Sequence, residues 1–491
     1  MNSAKKNRNT SGVAWSAIER LGIQGSQFVA SMILARMLVP ADYGLIAMLT
    51  IFIALAATLV DSGMAQALIQ RQNREESDST TAFIFNVVVA IAIYGIIYIS
   101  APLIAQFYDS PELCAVARVY CVVIVINSLS VVQQAMITIE LDFKRQAMAS
   151  LTGVIVGGCV AIALAYNGWG VWALVVQQIV SETLRTIILW IIARWRPVGG
   201  FSWHSFGELS KFGSKLMASG LIQVTYVNLY PLIIGRHFAP NQLGLFNRAT
   251  TIGALPSNSI STIVDRALYP VLCAEQADKE GAASTMSRYL GVVCFAVFPT
   301  MVGLAVLARP TILLLLGERW LGVVPLLQAI SIAYMWDPIM KFTGSYVKSQ
   351  GHSDRFLRAE IIKKIWGIGI LVASIPFGIE TMAWGLLLYA LSDLSTIIYF
   401  ARKSTPTLGY RSTARRLAPM ILITALMGIA IHLVVSHPSI ENLHPLLQLT
   451  ICGAVGSTIY LLLSTITGRP ELRQLREIAR SYGVLTKQEP K

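Results

Sequence analysis

A chain of 491 residues that is 55% hydrophobic and only 13% charged, with a mean hydropathy of +0.61, cannot hide its apolar surface inside soluble domains. Lipid accepts such a chain if each spanning segment satisfies its own backbone hydrogen bonds, which predicts an all-α membrane protein. The net charge of +13 fits nucleic acid, anionic lipid or an anionic substrate until it is placed, while six cysteines without CxxC pairs or metal-ligand spacing argue against a disulfide framework or metal site.

The N-terminal tail carries Lys5, Lys6 and Arg8, but the apolar run behind it is broken by Glu19 and Arg20 and has no small-residue cleavage site, so a retained first helix is expected. Windows of about 19 residues then place spans near 13–38, 41–69, 81–105, 112–139, 147–167, 171–193, 212–238, 242–272, 286–308, 321–347, 357–377, 381–401, 415–436 and 444–467, about fourteen in all. Pro256, Pro299 and Pro338 mark kinks or breaks within them.

With the N-terminus in the cytoplasm, about 26 Lys and Arg fall in loops and tails on that side, about 4 on the other and about 9 within spans. The inner set includes Arg71 and Arg74, Lys144 and Arg145, Arg194 and Arg196, Arg355 and Arg358, and the cluster Arg402, Lys403, Arg411, Arg415 and Arg416. Most of the surplus is therefore a topology signal, and its scatter over short loops excludes a nucleic-acid footprint. Segment 471–483 alternates Leu472, Leu475 and Ile478 with Arg473, Arg476 and Arg480, as either an interfacial helix or a plain solvated one.

An internal repeat organises the spans. ILARMLVPADYGLI (33–46) recurs ungapped as IIGRHFAPNQLGLF (233–246), pairing Arg36 with Arg236, Pro40 with Pro240 and Gly44 with Gly244; the same offset pairs Asp78 with Asp278. Six spans separate the copies, so both enter from one side and the repeat is parallel, which places a substrate site where the halves meet. The expected division is a tail at 1–12, an N-lobe at 13–194, a linker at 195–211, a C-lobe at 212–402, an appended helix pair at 403–467 and a basic tail at 468–491.

Charge inside the spans carries the functional reading. Ser16, Arg20, Gln24 and Gln27 share one face of the first helix, and Lys215, Gln223 and Tyr226 repeat that stripe on the seventh. The eighth continues it with Arg248, Thr251, Asn258, Thr262 and Asp265, with Arg266 alongside; Arg118, Arg185, Lys341, Lys363 and Lys364 complete the intramembrane cations. Glu182 with Arg185, Asp337 with Lys341, and Asp265 with Arg266 are spaced to pair, and Lys363 and Lys364 are expected to snorkel to the interface without a role. Arg20, Arg118 and Arg248 lack a partner at helical spacing and are the leading substrate cations, followed by Lys215, Arg266, Arg185 and Lys341. Arginine suits an anionic head group because its planar fork binds phosphate oxygens in pairs. Asp61 and Asp393 are candidates for coupling to H+ or Na+, and equally salt-bridge partners or helix-end residues. No phosphate loop, metal-spaced histidines or nucleophile elbow accompanies these groups, so no enzyme, metal or cofactor is expected.

The pieces GVAWSAI (12–18), LARMLVPADYGLIAM (34–48), DSGMAQALIQR (61–71), LGLFNRAT (243–250), LYPVLCAEQ (268–276) and LGERWLGVVPLLQ (316–328) resemble the polysaccharide flippases of the multidrug/oligosaccharidyl-lipid/polysaccharide superfamily. The likeness is greatest to Wzx proteins of the colanic-acid and succinoglycan type, and runs from about residue 12 to about 465. It implies a fold of about fourteen helices in two lobes around a cationic cavity that opens alternately to each side. It also implies a cargo, an undecaprenyl-diphosphate-linked oligosaccharide carried to the periplasmic leaflet of the bacterial inner membrane. The implied partners are that lipid-linked oligosaccharide diphosphate, membrane lipids, and the polysaccharide polymerase and export machinery. Of the candidate substrate cations, only Arg20 and Arg248, which lie in or beside matching blocks, are carried over from the resemblance. The rival readings are a cation-coupled multidrug exporter of the same superfamily, and a membrane polymerase or ligase, against which the short outer loops count.

Overall fold

The computed structural model describes residues 22–474 apart from 24, 62, 72–73, 141, 194 and 352, and every regular element among them is helical. Arg20, Ser16 and Gln24, most of the first span, and the tail beyond 474 lie outside the described residues. Among the described residues ten helices are long and apolar enough to cross a membrane, eleven when a bent pair counts as one span. That pair is α10 (Trp203–Val227) with α11 (Leu229–His237), bent by 43° at Asn228, where a single expected helix at 212–238 begins earlier and breaks.

Two compact units divide the chain, Met1–Gly244 and Leu245–Lys491. The first holds α1 (25–37), α2 (Pro40–Asp61), α3 (Met64–Gln70), α4 (Glu76–Phe107), α5 (Glu112–Tyr120), α6 (Val122–Ser128), α7 (Val131–Ile139), α8 (Phe143–Tyr166) and α9 (Val171–Ile192). It also holds α10 and α11, because α10 packs on α2, α3 and α4. Segment 195–202 is tied down as well: Thr80 Oγ1 donates to the Val198 carbonyl at 2.9 Å, and the Ser202 amide to Thr81 Oγ1 at 3.0 Å. Glycine sets the closest approaches. The Gly153-Val-Ile-Val-Gly157 spacing brings α8 onto α9, where a Cβ on Gly153 would sit 2.5 Å from the Ser181 carbonyl oxygen. Gly63, at φ 68°, turns the chain between α2 and α3 in a conformation open chiefly to glycine.

α12 (Pro240–Ala274) straddles the division, and its start interlocks with that of α2 inside the first unit. Proline opens both helices, where its missing N–H costs nothing. A Cβ on Gly44 would collide with the Pro240 carbonyl, and one on Gly244 with the Pro40 carbonyl. The pairs matched in the repeat thus touch each other. Asp78 and Asp278 share a task too, at the starts of α4 and α13 (Lys279–Val306): Asp78 accepts the Glu75 amide in a capping box, and Asp278 accepts the Gly281 amide.

The second unit continues with α14 (Ala308–Leu315), α15 (Val323–Tyr334), α16 (Asp337–Ser349), α17 (Ser353–Ser374), α18 (Ile379–Ser404), α19 (Tyr410–Val435), α20 (Pro438–Glu441) and α21 (Pro445–Ile466). Its core gathers Leu272, Met286, Val297, Phe298, Met301, Phe342 and Leu417. Of the prolines expected to bend helices, Pro256 and Pro299 lie inside α12 and α13, whereas Pro338 opens α16 just after the break at Met335 and Trp336.

Candidate functional site

The fourth span does not run as one helix. It breaks at Cys121 and again at Leu129 and Ser130 into α5, α6 and α7. A break inside a membrane leaves backbone carbonyls without helical donors, and each must find another. At the second break α9 supplies them: Trp190 Nε1 donates to the Leu129 carbonyl at 2.8 Å and Thr186 Oγ1 to the Ile126 carbonyl at 3.3 Å. From the same helix Arg185 reaches into the break. Its Nη2 donates to Asn127 Oδ1, Ser130 Oγ and Gln134 Oε1 at 3.2–3.4 Å, while Nη1 pairs with Glu182 at 3.3 Å. The expected Glu182–Arg185 pair is present, with three neutral acceptors that helical spacing within α9 could not show. Their signal was visible in the polar run NSLSVVQQ at 127–134, in mid-span.

Arg185 also lines a cavity of about 450 Å³ within the first unit, together with Asp61, Asn127, Gln134 and Thr138. Asp61 is the last residue of α2, and its Oδ1 accepts the Ala65 amide at 3.4 Å across the turn into α3. A carboxylate at a helix end and a guanidinium facing a broken span therefore line one polar space.

Arg118 on α5 lies over the ring of Tyr98 on α4, 4.6 Å from its centroid, and its Nε donates to the Tyr98 carbonyl at 3.4 Å. It lacks a partner along its own helix yet finds one across the helix pair. Lys215 and Gln223 on α10 are exposed and Tyr226 is half-buried; Gln27 on α1 is exposed. On α12, Asn258 and Arg266 are exposed, and Arg248 lies over the ring of Trp320 at 5.8 Å.

Two further charge clusters lie in the second unit. Lys341 Nζ is 3.4 Å from Asp337 and donates to Thr262 Oγ1 at 3.2 Å, so that expected pair forms and also ties α16 to α12. The expected pair of Asp265 with Arg266 does not form within 4 Å among the described residues, because adjacent positions diverge around a helix. The expectation that Lys363 snorkels without a role is overturned. Its side chain is 9% exposed and its ammonium bridges Glu360 at 2.6 Å and Asp393 at 3.0 Å, linking α17 to α18. A buried ammonium held by two carboxylates is a fixed electrostatic joint, and Asp393 is one end of it.

Ten or eleven apolar spans, with cations and amides set into them, define a multi-pass membrane protein built to handle polar or charged matter within the bilayer. Residues 33–325 match the family described as polysaccharide biosynthesis protein, and the chain belongs to that family. It is 25% identical over 476 residues to the succinoglycan biosynthesis transport protein ExoT of Rhizobium meliloti, covering 96% of each chain. It is likewise 25% identical over 407 residues to the lipopolysaccharide biosynthesis protein WzxC of Escherichia coli, covering 82% of each. Among solved structures it superposes on the lipid II flippase MurJ in an inward closed conformation with a TM-score of 0.75 at 13% identity, covering 92% of this chain and 98% of that one.

Proposed function

We propose that the chain is a flippase that turns an undecaprenyl-diphosphate-linked oligosaccharide repeat unit from the cytoplasmic to the periplasmic leaflet of the bacterial inner membrane, by alternating access. The observation that carries this reading is the near full-length likeness to a protein named for succinoglycan transport, within a family of polysaccharide biosynthesis proteins. A fold like that of a lipid II flippase is in keeping with it. In this reading the chain has fourteen spans, with both termini cytoplasmic and the six-plus-six-plus-two repeat described above. Counted with the apolar helices are α1, the bent α10–α11 pair, and the more polar α12 and α17.

Arg20, Arg118, Arg248, Lys215 and Arg266 serve the diphosphate, and Gln27, Gln223, Tyr226 and Asn258 serve the sugars; Gln27, Lys215, Gln223, Asn258 and Arg266 stand exposed, and exposed polar groups at membrane depth require a water-filled route. Arg185 and Lys341, each tied to a carboxylate, hold the architecture of that route. Asp61, in the cavity beside Arg185, is the better-placed coupling carboxylate, since Asp393 is committed to Lys363.

The test is reconstitution of the purified protein in vesicles with lipid-linked oligosaccharide on one leaflet. Appearance of the sugar on the other leaflet supports the flippase. Movement of drug cations without it would establish the multidrug exporter instead, and chain extension of the sugar would establish the polymerase.

A further inference from the structure

The basic cluster that follows α18 was accounted for as a topology signal, but the structure gives it a shape. The turn from α18 into α19 and the segment after α21 enclose an open cavity of about 940 Å³ in the second unit, lined by Arg402, Arg411, Arg415, Arg416 and Arg469. Glu471 is the one acidic residue on its wall, and none of the five arginines forms an ion pair with a carboxylate among the described residues. Positive-inside bias requires cations on this side of the membrane, yet it does not require five of them around one hollow.

Two further features aim the hollow at an anion. The 26-residue α19 starts on its rim at Tyr410, with no side-chain cap and no acidic residue in its first turn, so no side chain among the described residues takes up its first amides. Nε of Arg469, which also lines the hollow, is buried without a hydrogen-bond partner among the described residues. A group that accepts several N–H bonds at once fits this arrangement, and phosphoryl oxygens do so.

The face of α19 says where that group is attached. Arg411 and Arg415 are followed by Leu422, Leu426, Ile429 and Leu433, spaced four, seven, four, three and four. All six are exposed, the four apolar ones by 44–67%. One stripe of the helix therefore runs from guanidinium groups at its start to apolar side chains open to the bilayer along its length. Tyr399 and Tyr410, both exposed, mark the interface at that depth; Tyr410 is pinned by its hydroxyl to the Ser395 carbonyl at 2.7 Å, and Lys403 lies over the Tyr399 ring. We propose that this hollow binds the phosphate of an anionic phospholipid, with the head group among the arginines and the acyl chains along the exposed stripe of α19. A soluble phosphate ester offers the same oxygens but nothing for the stripe.

The test is native mass spectrometry of the full-length protein from detergent, titrated with phosphatidylglycerol, with phosphatidylcholine of the same chains, and with glycerol phosphate as the soluble arm. Phosphatidylglycerol should be retained over phosphatidylcholine, and glycerol phosphate should not displace it. Retention should fall about fivefold per arginine removed, and about a hundredfold in the triple variant Arg411→Gln, Arg415→Gln, Arg416→Gln. Lys144→Gln with Arg358→Gln removes like charge from the same expected side and should leave retention unchanged. If the triple variant does not insert, single Arg415→Gln must lower retention and Arg415→Lys restore most of it. Equal retention of both lipids, full retention in the Arg415 variant, or an equal loss in the control pair overturns the proposal. Displacement by glycerol phosphate would make the site one for a soluble phosphate ester and overturn its assignment to lipid.

Discussion

Arg185 shows how a charge is tolerated in this membrane protein. Of its two terminal nitrogens, Nη1 meets one carboxylate and Nη2 three neutral oxygens. Removing it strands Glu182, whose side chain is only 17% exposed, and leaves three acceptors without their donor. Arg185→Ala should therefore cost roughly 3 kcal/mol, near the lower end for a broken buried pair because both side chains keep some solvent contact. Thermal unfolding in detergent reads this as a lowered Tm, with Arg185→Lys falling between, since lysine restores the ion pair but not the fork. An unchanged Tm in the alanine variant would remove Arg185 from the architecture and return it to the substrate cations. Lys363 makes the complementary point. Its neighbour Lys364 is identical in chemistry, yet it is Lys363 that turns inward between Glu360 and Asp393. Sequence assigned both to the interface because nothing local tells a snorkelling lysine from a bridging one.

At the scale of elements, the breaks carry as much as the helices. The span at 112–139 reads as a single hydrophobic run, and hydropathy has no means to register its two interruptions, the second of which has its freed carbonyls received by a helix some sixty positions later. The bend at Asn228 and the turn at Gly63 escape it for the same reason. Glycine is the more legible signal. Gly44 was singled out by its recurrence at Gly244, and the structure supplies the physical reason, two helix starts packed with backbone against backbone. Gly44→Ala must push the Pro240 carbonyl aside and should lower stability by about 1–3 kcal/mol as overpacking. Gly95→Ala in α4, where nothing lies within 4 Å of the new methyl, should be neutral or stabilise by up to about 1 kcal/mol through helix propensity. Denaturation of the two variants side by side checks this, and equal Tm values would dissolve the interlock as a stability determinant.

For the whole molecule, the proposed transport makes one demand that insertion and folding do not. A cation serving the diphosphate can be removed without loss of the protein, but not without loss of flipping. Arg248→Ala, which leaves Trp320 buried beneath, should insert at normal abundance while lipid-linked repeat units accumulate on the cytoplasmic leaflet, as they should in a deletion strain. Leaflet-specific labelling of the sugar measures this. Normal export in the variant would release Arg248 from the proposed role while leaving the flippase reading to stand on the deletion strain.

Composition and pattern alone determined the class of this protein, because hydropathy is a local property and a bilayer filters for it directly. Residue blocks such as 34–48 and 316–328 pointed to the family that the match over 33–325 established. Pairings three or four residues apart on one helix were legible for the same local reason, and both expected at that spacing formed, whereas the adjacent Asp265 and Arg266 did not pair. What the intramembrane charges face was decided only by tertiary structure. The partner of Arg118 is an aromatic ring twenty residues back on α4, that of Lys363 a carboxylate thirty residues on along α18, and the arginines of the α18–α19 turn meet Arg469 across a hollow. A charge in lipid takes whichever counter-group the packing of helices brings within reach, and that packing is set by contacts far apart in the chain.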